Sequence, residues 1–164
     1  QIGGWMNTRV AAGIAVNLYY GHLDKLRQRY WQAMPLRVMY QIEHNPIFTV
    51  SSLSPIDEAI RTCGGRNVFE NLPRIAPAVS LEAVLAADPE VVVFAQQDNG
   101  VAIRELWARW PQATAQKNGN LYAIDADLLA RQSPRLLDGI EQLCQVLDLV
   151  RAKRRVVTPE SSAR

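Results

Sequence analysis

Glu90-Val91-Val92-Val93-Phe94 constrains the fold of this chain more than any other stretch. Three valines followed by phenylalanine favour extended backbone, because β-branched and aromatic side chains fit a pleated surface. The run shows no polar alternation, so both faces of the strand need cover. Helical patterns stand on either side to supply it. Ser80 reads as the N-cap of a short helix, Leu81 to Ala87, which ends before Asp88-Pro89. Val101 to Trp110 reads as the next helix, stopped by Pro111. Leu36 to Ile42 and Leu121 to Ile124 are short and apolar and read as two further strands.

Helices at both ends complete the pattern. Val10, Ile14, Leu18, Leu23 and Leu26 recur at helical spacing and predict one long helix over residues 8–32, with Pro35 as its limit. Ser54-Pro55 predicts a helix that runs to about Cys63 and closes at Gly64-Gly65. Ser133-Pro134 caps a last helix carrying Leu136, Leu137, Ile140, Leu143, Leu147 and Val150. His44-Asn45-Pro46 is a turn signal, and 70–79, with Pro73 and Pro77, reads as an irregular loop. The order is helix, strand, helix, helix, strand, helix, strand, helix. It predicts an α/β fold with a mainly parallel sheet sandwiched by helices. The helical pattern begins almost at once after Gln1-Ile2-Gly3-Gly4-Trp5, as expected of a fragment of a longer protein, from which any signal peptide would be missing.

Composition excludes several classes of function. A chain of 164 residues with net charge +2 builds one core and carries no nucleic-acid footprint. The short basic run Arg151, Lys153, Arg154, Arg155 reads as solvated surface. No apolar stretch reaches the ~20 residues that span a bilayer. Two histidines, His22 and His44, and two cysteines, Cys63 and Cys144, argue against a metal site and against a bound cofactor. Gly-rich phosphate loops and Gly-x-Ser-x-Gly elbows are absent from the sequence. Both cysteines sit at helical positions among apolar neighbours, which favours buried structural roles over a Cys–His catalytic pair.

Ligands of open α/β sheets sit beyond the carboxyl ends of the strands. Two loops fall there. One holds His44, Asn45, Pro46, Ile47 and Phe48; the other runs from Asp125 to Arg131 and carries Asp127. Together they offer an aromatic, a carboxylate and a guanidinium to a large, partly apolar ligand. The alternative is that Phe48 packs inward and Asp127–Arg131 is a surface pair worth little.

Cys63-Gly64-Gly65-Arg66-Asn67-Val68-Phe69, Pro77 to Leu85, Asp88 to Val93, Asn118-Gly119-Asn120-Leu121-Tyr122 and Arg131-Gln132-Ser133-Pro134-Arg135 follow one another in a familiar order and spacing. Over about residues 8 to 150 the chain resembles the periplasmic substrate-binding proteins of ABC importers for cobalamin, iron-siderophore complexes and haem, and the cobalamin-binding branch most. The resemblance implies a two-lobed protein. Residues 1–34 would be its long linking helix, 35–155 its C-terminal α/β lobe and 156–164 a disordered tail.

Function and roles follow from the same resemblance. The protein would be a periplasmic binding component, not an enzyme, that holds cobalamin or a related corrinoid between lobes and delivers it to a membrane permease. Asn45, Pro46 and Phe48 would touch the ligand, with Asp127 and Arg131 as the polar pair of the binding loop. Glu82 would dock onto permease arginines, although a Glu in a first helical turn also offsets the helix dipole. Cys63 and Cys144 would form a disulfide. Ile75 and Ala76 stand where related proteins can carry a tryptophan. An iron-siderophore or haem ligand is the alternative; Arg131 and Arg135 could face an anionic siderophore, and Tyr40 or His44 could supply a ligand to haem iron. From other classes, a small-molecule α/β enzyme or regulatory domain and a cytoplasmic interaction domain are the competing readings. Self-association through residues 8–32 is expected of the fragment, because that helix leaves an apolar strip without a partner.

Overall fold

The computed structural model describes residues 3–96, 99–125 and 135–157, with side chains from Arg9 onward. The valine run forms β5 (Val91–Ala95), whose first four residues are buried. On one edge it pairs in parallel with β1 (Leu36–His44), Val38 opposite Val91 and Gln41 opposite Phe94. On the other it pairs in parallel with β6 (Leu121–Ile124), Val92 opposite Leu121. These are the three strands expected from the sequence.

Three short strands were not expected. β2 (Ile47–Thr49) turns back on β1 in antiparallel fashion, and β4 (Ala78–Val79) pairs antiparallel with β2 inside the stretch read as an irregular loop. β3 (Gly65–Asn67) pairs in parallel with the start of β1, on the same edge that β2 uses further along. Each is only two or three residues long, and Gly65-Arg66-Asn67 has no apolar residue to signal a strand. The sheet is thus mixed at one edge and parallel through its centre, in the order β4-β2-β1-β5-β6.

Helices cover both faces. α1 (Gly3–Tyr30) starts earlier and stops two residues sooner than expected. With α2 (Pro55–Thr62) and α6 (Leu136–Val157) it packs on the face presented by Val38, Tyr40, Val91 and Val93. α3 (Leu81–Ala87) and α4 (Gly100–Ala108) cover the opposite face, presented by Met39, Val92 and Phe94. The split follows strand geometry, in which successive side chains point to opposite faces. A further turn, α5 (Thr114–Lys117), precedes β6. Ser54 and Ser80 cap α2 and α3 through their hydroxyls, as their positions predict. The Ser133-Pro134 cap lies outside the described residues.

Cys63 and Cys144 are joined by a disulfide that ties the end of α2 to the middle of α6 across 81 residues of sequence, and both are buried. Beside it, the buried Arg151 guanidinium donates to Cys63 O at 2.7 Å, to Met34 O at 2.9 Å and to Asp148 Oδ1 at 3.0 Å. Tyr30 donates to the other Asp148 oxygen at 2.8 Å. This network welds the last turn of α1 to α6. α6 continues through Val157, and residues 158–164 of the expected tail lie outside the described residues.

Candidate functional site

The first strand and its turn place a polar cluster at the carboxyl end of the sheet. The β1–β2 register slips between Gln41 and Glu43, a local irregularity that re-aims the side chains after it. Before the slip, the buried Gln41 accepts from Trp107 Nε1 at 2.8 Å, anchoring α4 to the sheet. After it, Glu43 faces the start of α4, where its Oε2 accepts from Asn99 Nδ2 at 2.7 Å. Its Oε1 accepts from the His44 backbone N–H at 2.8 Å and lies 2.6 Å from His44 Nδ1. The backbone N–H of His44 is the main cause that holds the Glu43 carboxyl below the usual carboxylate range. Desolvation opposes it, and the His44 ring and Asn99 add to it.

Beside this cluster lies a groove of about 540 Å3, lined by His44, Asn45, Pro46 and Ile47 of the turn, Val79, Leu81 at the start of α3, and Ala102, Glu105, Leu106 and Arg109 of α4. The Asn45–Pro46 peptide bond is cis. Asn45 and Pro46 are exposed on the groove. Phe48 is half-buried and sits on the opposite face of β2 from Ile47, outside the groove lining. Asp127 and Arg131, the other expected ligand residues, lie outside the described residues. Tyr40 is 5% exposed within the core, where burial pushes its phenol up, so it is no ligand for a haem iron. A larger hollow of about 780 Å3 opens at the amino end of the sheet, beside Pro35 and Gly65. Its charges are paired among themselves, Arg27 with Asp24 and Glu58, and Arg61 with Asp57 and Glu70. The carboxyl-end groove is therefore the candidate site.

Glu82 stands exposed in the first turn of α3, next to that groove, and makes no ion pair among the described residues. The disulfide occupies both cysteines, so neither is available as a nucleophile. Among the described residues no helix is long and apolar enough to cross a membrane, and no group of three or more His, Cys, Asp or Glu is placed to hold a metal ion.

Known proteins share this architecture. A vitamin B12-binding protein of Vibrio vulnificus is 36% identical over 140 residues, which cover 83% of this chain and 50% of the relative. One from Vibrio cholerae is 34% identical over 128 residues, covering 77% and 46%. The crystal structure of a periplasmic vitamin B12-binding protein of Vibrio cholerae superposes with a TM-score of 0.73 at 32% identity, over 82% of this chain and 52% of that one. The chain belongs to the periplasmic substrate-binding protein family. It spans about half the length of the curated relatives it matches. A periplasmic haem-binding protein in complex with two haems has a TM-score of 0.74 at 19% identity, over 90% of this chain and 59% of that one, a likeness of fold alone. No protein-family model matches the chain.

Within this α/β unit, the motif that carries much of the family resemblance is structural. Cys63 holds the disulfide. A Cβ on Gly64, at φ +72°, would come 2.9 Å from Arg151, and one on Gly65 would come 2.8 Å from Ile60 and 2.9 Å from Val38. The buried Asn67 donates to Val50 O and Asp57 Oδ1 and accepts from the Phe69 N–H. Motif strength thus marks packing, and the groove is built elsewhere. Its α4 wall, Ala102, Glu105 and Arg109, was missed from the sequence. The available signal was the spacing of the core residues Ile103 and Trp107, which leaves those three on the flank of the helix.

Proposed function

We propose that this chain is the C-terminal lobe, with α1 (Gly3–Tyr30) as its linking helix, of a periplasmic protein that binds cobalamin or a related corrinoid. The protein is a binding component and not an enzyme. The 36% identity to a vitamin B12-binding protein over 140 residues carries the ligand class. The ligand lies between this lobe and a second one and is delivered to the permease of an ABC importer. Asn45 and Pro46 meet it from the β1–β2 turn, and Asp127 and Arg131 fix its polar groups. Glu82 docks the loaded protein onto permease arginines. Residues 35–157 form the lobe, with α6 running to Val157. The exposed side of α1 over residues 8–32 is the surface through which the chain pairs with itself when its other lobe is absent.

Equilibrium dialysis of the full-length protein against cyanocobalamin tests the ligand. Corrinoid absorption should be retained with the protein, near one molecule per chain. Retention of haem or of a ferric siderophore in its place would move the protein to the iron branch of the family.

A further inference from the structure

The sequence holds two Asn-Gly pairs, Asn99-Gly100 and Asn118-Gly119, and the fold treats them oppositely. Asparagine before glycine is prone to modify itself, because no side chain shields the next backbone nitrogen. Once that nitrogen loses its proton it can attack the asparagine side-chain carbonyl. At Asn99 the surroundings oppose the attack. Asn99 is half-buried, and its Nδ2 is held by Glu43 Oε2 at 2.7 Å. The Glu43 carboxylate disfavours a second negative charge beside it. Gly100 opens α4 and is hemmed in, since a Cβ there would lie 3.3 Å from the Phe94 ring.

Asn118 has none of these restraints. It closes the short helix α5, and its exposed side chain makes no hydrogen bond among the described residues. Gly119 is exposed at φ +63°, and a Cβ there would meet nothing within 4 Å. To reach the side chain, the Gly119 nitrogen must rotate away from the Asn118 ψ of 2°. That rotation gives up one hydrogen bond, from the Gly119 N–H to Gln116 O at 3.1 Å, and glycine tolerates the new angles. The charge at this turn is a cation. Lys153 Nζ donates to Asn118 O at 3.5 Å and to Gly119 O at 3.3 Å. A cation on the Asn118 carbonyl favours the anion of the same peptide group.

We infer that Asn118 is a site of spontaneous covalent modification, while the fold protects Asn99. The Gly119 nitrogen gives its proton to hydroxide and bonds to Asn118 Cγ. The Cγ–Nδ2 bond breaks, and the nitrogen takes a proton from water and leaves as ammonia. Water then adds to either carbonyl of the cyclic imide and opens it, giving aspartate or isoaspartate without redox change. Isoaspartate lengthens the backbone by one carbon just before Asn120, whose N–H donates to Ala115 O at 2.8 Å and whose Nδ2 donates to Glu90 O at 3.0 Å. Modification therefore loosens the entry to β6.

The test incubates the folded full-length protein in mildly alkaline buffer, digests it at low pH and maps it by mass spectrometry, with enzymatic methylation reporting isoaspartate. The Asn118 peptide should gain the mass of an amide-to-acid conversion about tenfold faster or more than the Asn99 peptide. Its rate should rise with hydroxide concentration, and Asn118→Gln should abolish it. In denaturant the two sites should convert at similar rates. Equal rates in the folded protein overturn the inference, as does a difference that persists in denaturant. So does an Asn118 that stays intact in the folded protein while the denatured chain converts.

Discussion

Gly65 decides how closely α2 can approach β1. Its φ is not positive, but a methyl group there would meet Ile60 Cγ2 at 2.8 Å and Val38 Cγ2 at 2.9 Å, both in the core. Gly65→Ala should therefore cost about 1–3 kcal/mol of stability, the usual penalty of overpacking, measured by urea unfolding. An unchanged midpoint would mean that α2 can shift outward freely. Asp88 makes a second prediction. It closes α3 in left-handed backbone at φ 40° and accepts from the Thr114 hydroxyl and the Thr114 N–H. Partial burial pushes its carboxyl up, but those two hydrogen bonds and the nearby Arg37 outweigh that and hold it below the usual range. A carboxyl lowered in the folded state contributes stability above its unfolded titration range, and the contribution disappears as pH falls through the folded value. Asp88→Asn should thus be less stable than wild type at pH 7, with the gap closing below about pH 4. A gap that stays constant down to pH 3 would show that the charge is not what matters there.

The helices on the α1 face are held by covalent and polar links as well as by packing. The disulfide closes 81 residues between α2 and α6, and loops of that length give about 4–5 kcal/mol in the chain-entropy account. Replacing both cysteines by alanine should lower stability by up to that amount, with the loss read from chemical unfolding of the oxidised and variant proteins. Arg151 reinforces the same junction, because one guanidinium spans the carbonyls of Cys63 and Met34. α1 behaves differently along its length. Its last turns are buried through Leu23, Leu26 and Tyr30, whereas Val10, Ile14 and Leu18 are each more than half exposed. That exposed apolar strip should make the 164-residue chain self-associate. Sedimentation should show dimers or larger species for the wild-type chain and monomer for Val10→Lys with Ile14→Lys and Leu18→Lys. A monomeric wild-type chain at high concentration would remove that role from α1.

The whole molecule places the groove and the Glu82 carboxylate, the two features to which the proposed function gives ligand and permease contact, at one end of the sheet. Both the groove and Glu82 lie where β1 and β4 finish and α3 and α4 begin. The proposed function therefore predicts that ligand capture and permease contact can be separated by substitution. Glu82→Arg in the full-length protein should leave cobalamin binding within about twofold of wild type. It should also cut cobalamin uptake by about tenfold or more, because a carboxylate meeting arginines becomes a like-charge clash. Normal uptake by this variant would reduce Glu82 to an offset of the α3 dipole.

Local chemistry in the sequence was sufficient for the sandwich. The unbroken Val91 to Phe94 run needed cover on both faces, Ser54 and Ser80 announced their helices, and the ordered motifs carried the family. The same local chemistry was silent on β2, β3 and β4, which are too short to have a pattern and exist only because β1 offers an edge to β2 and β3, and β2 offers one to β4. It was also silent on the site. Asn45 and Pro46 were legible as a turn, but the groove wall on α4 was not, and Phe48 faces away from it. Glu43 meets Asn99 across 56 residues, and Arg151 meets Cys63 across 88. Such meetings depend on strand register and helix placement, which no local pattern encodes. Hydrophobic periodicity determines which face of each element is buried. Which polar groups then come within hydrogen-bonding reach is decided only when those faces pack together.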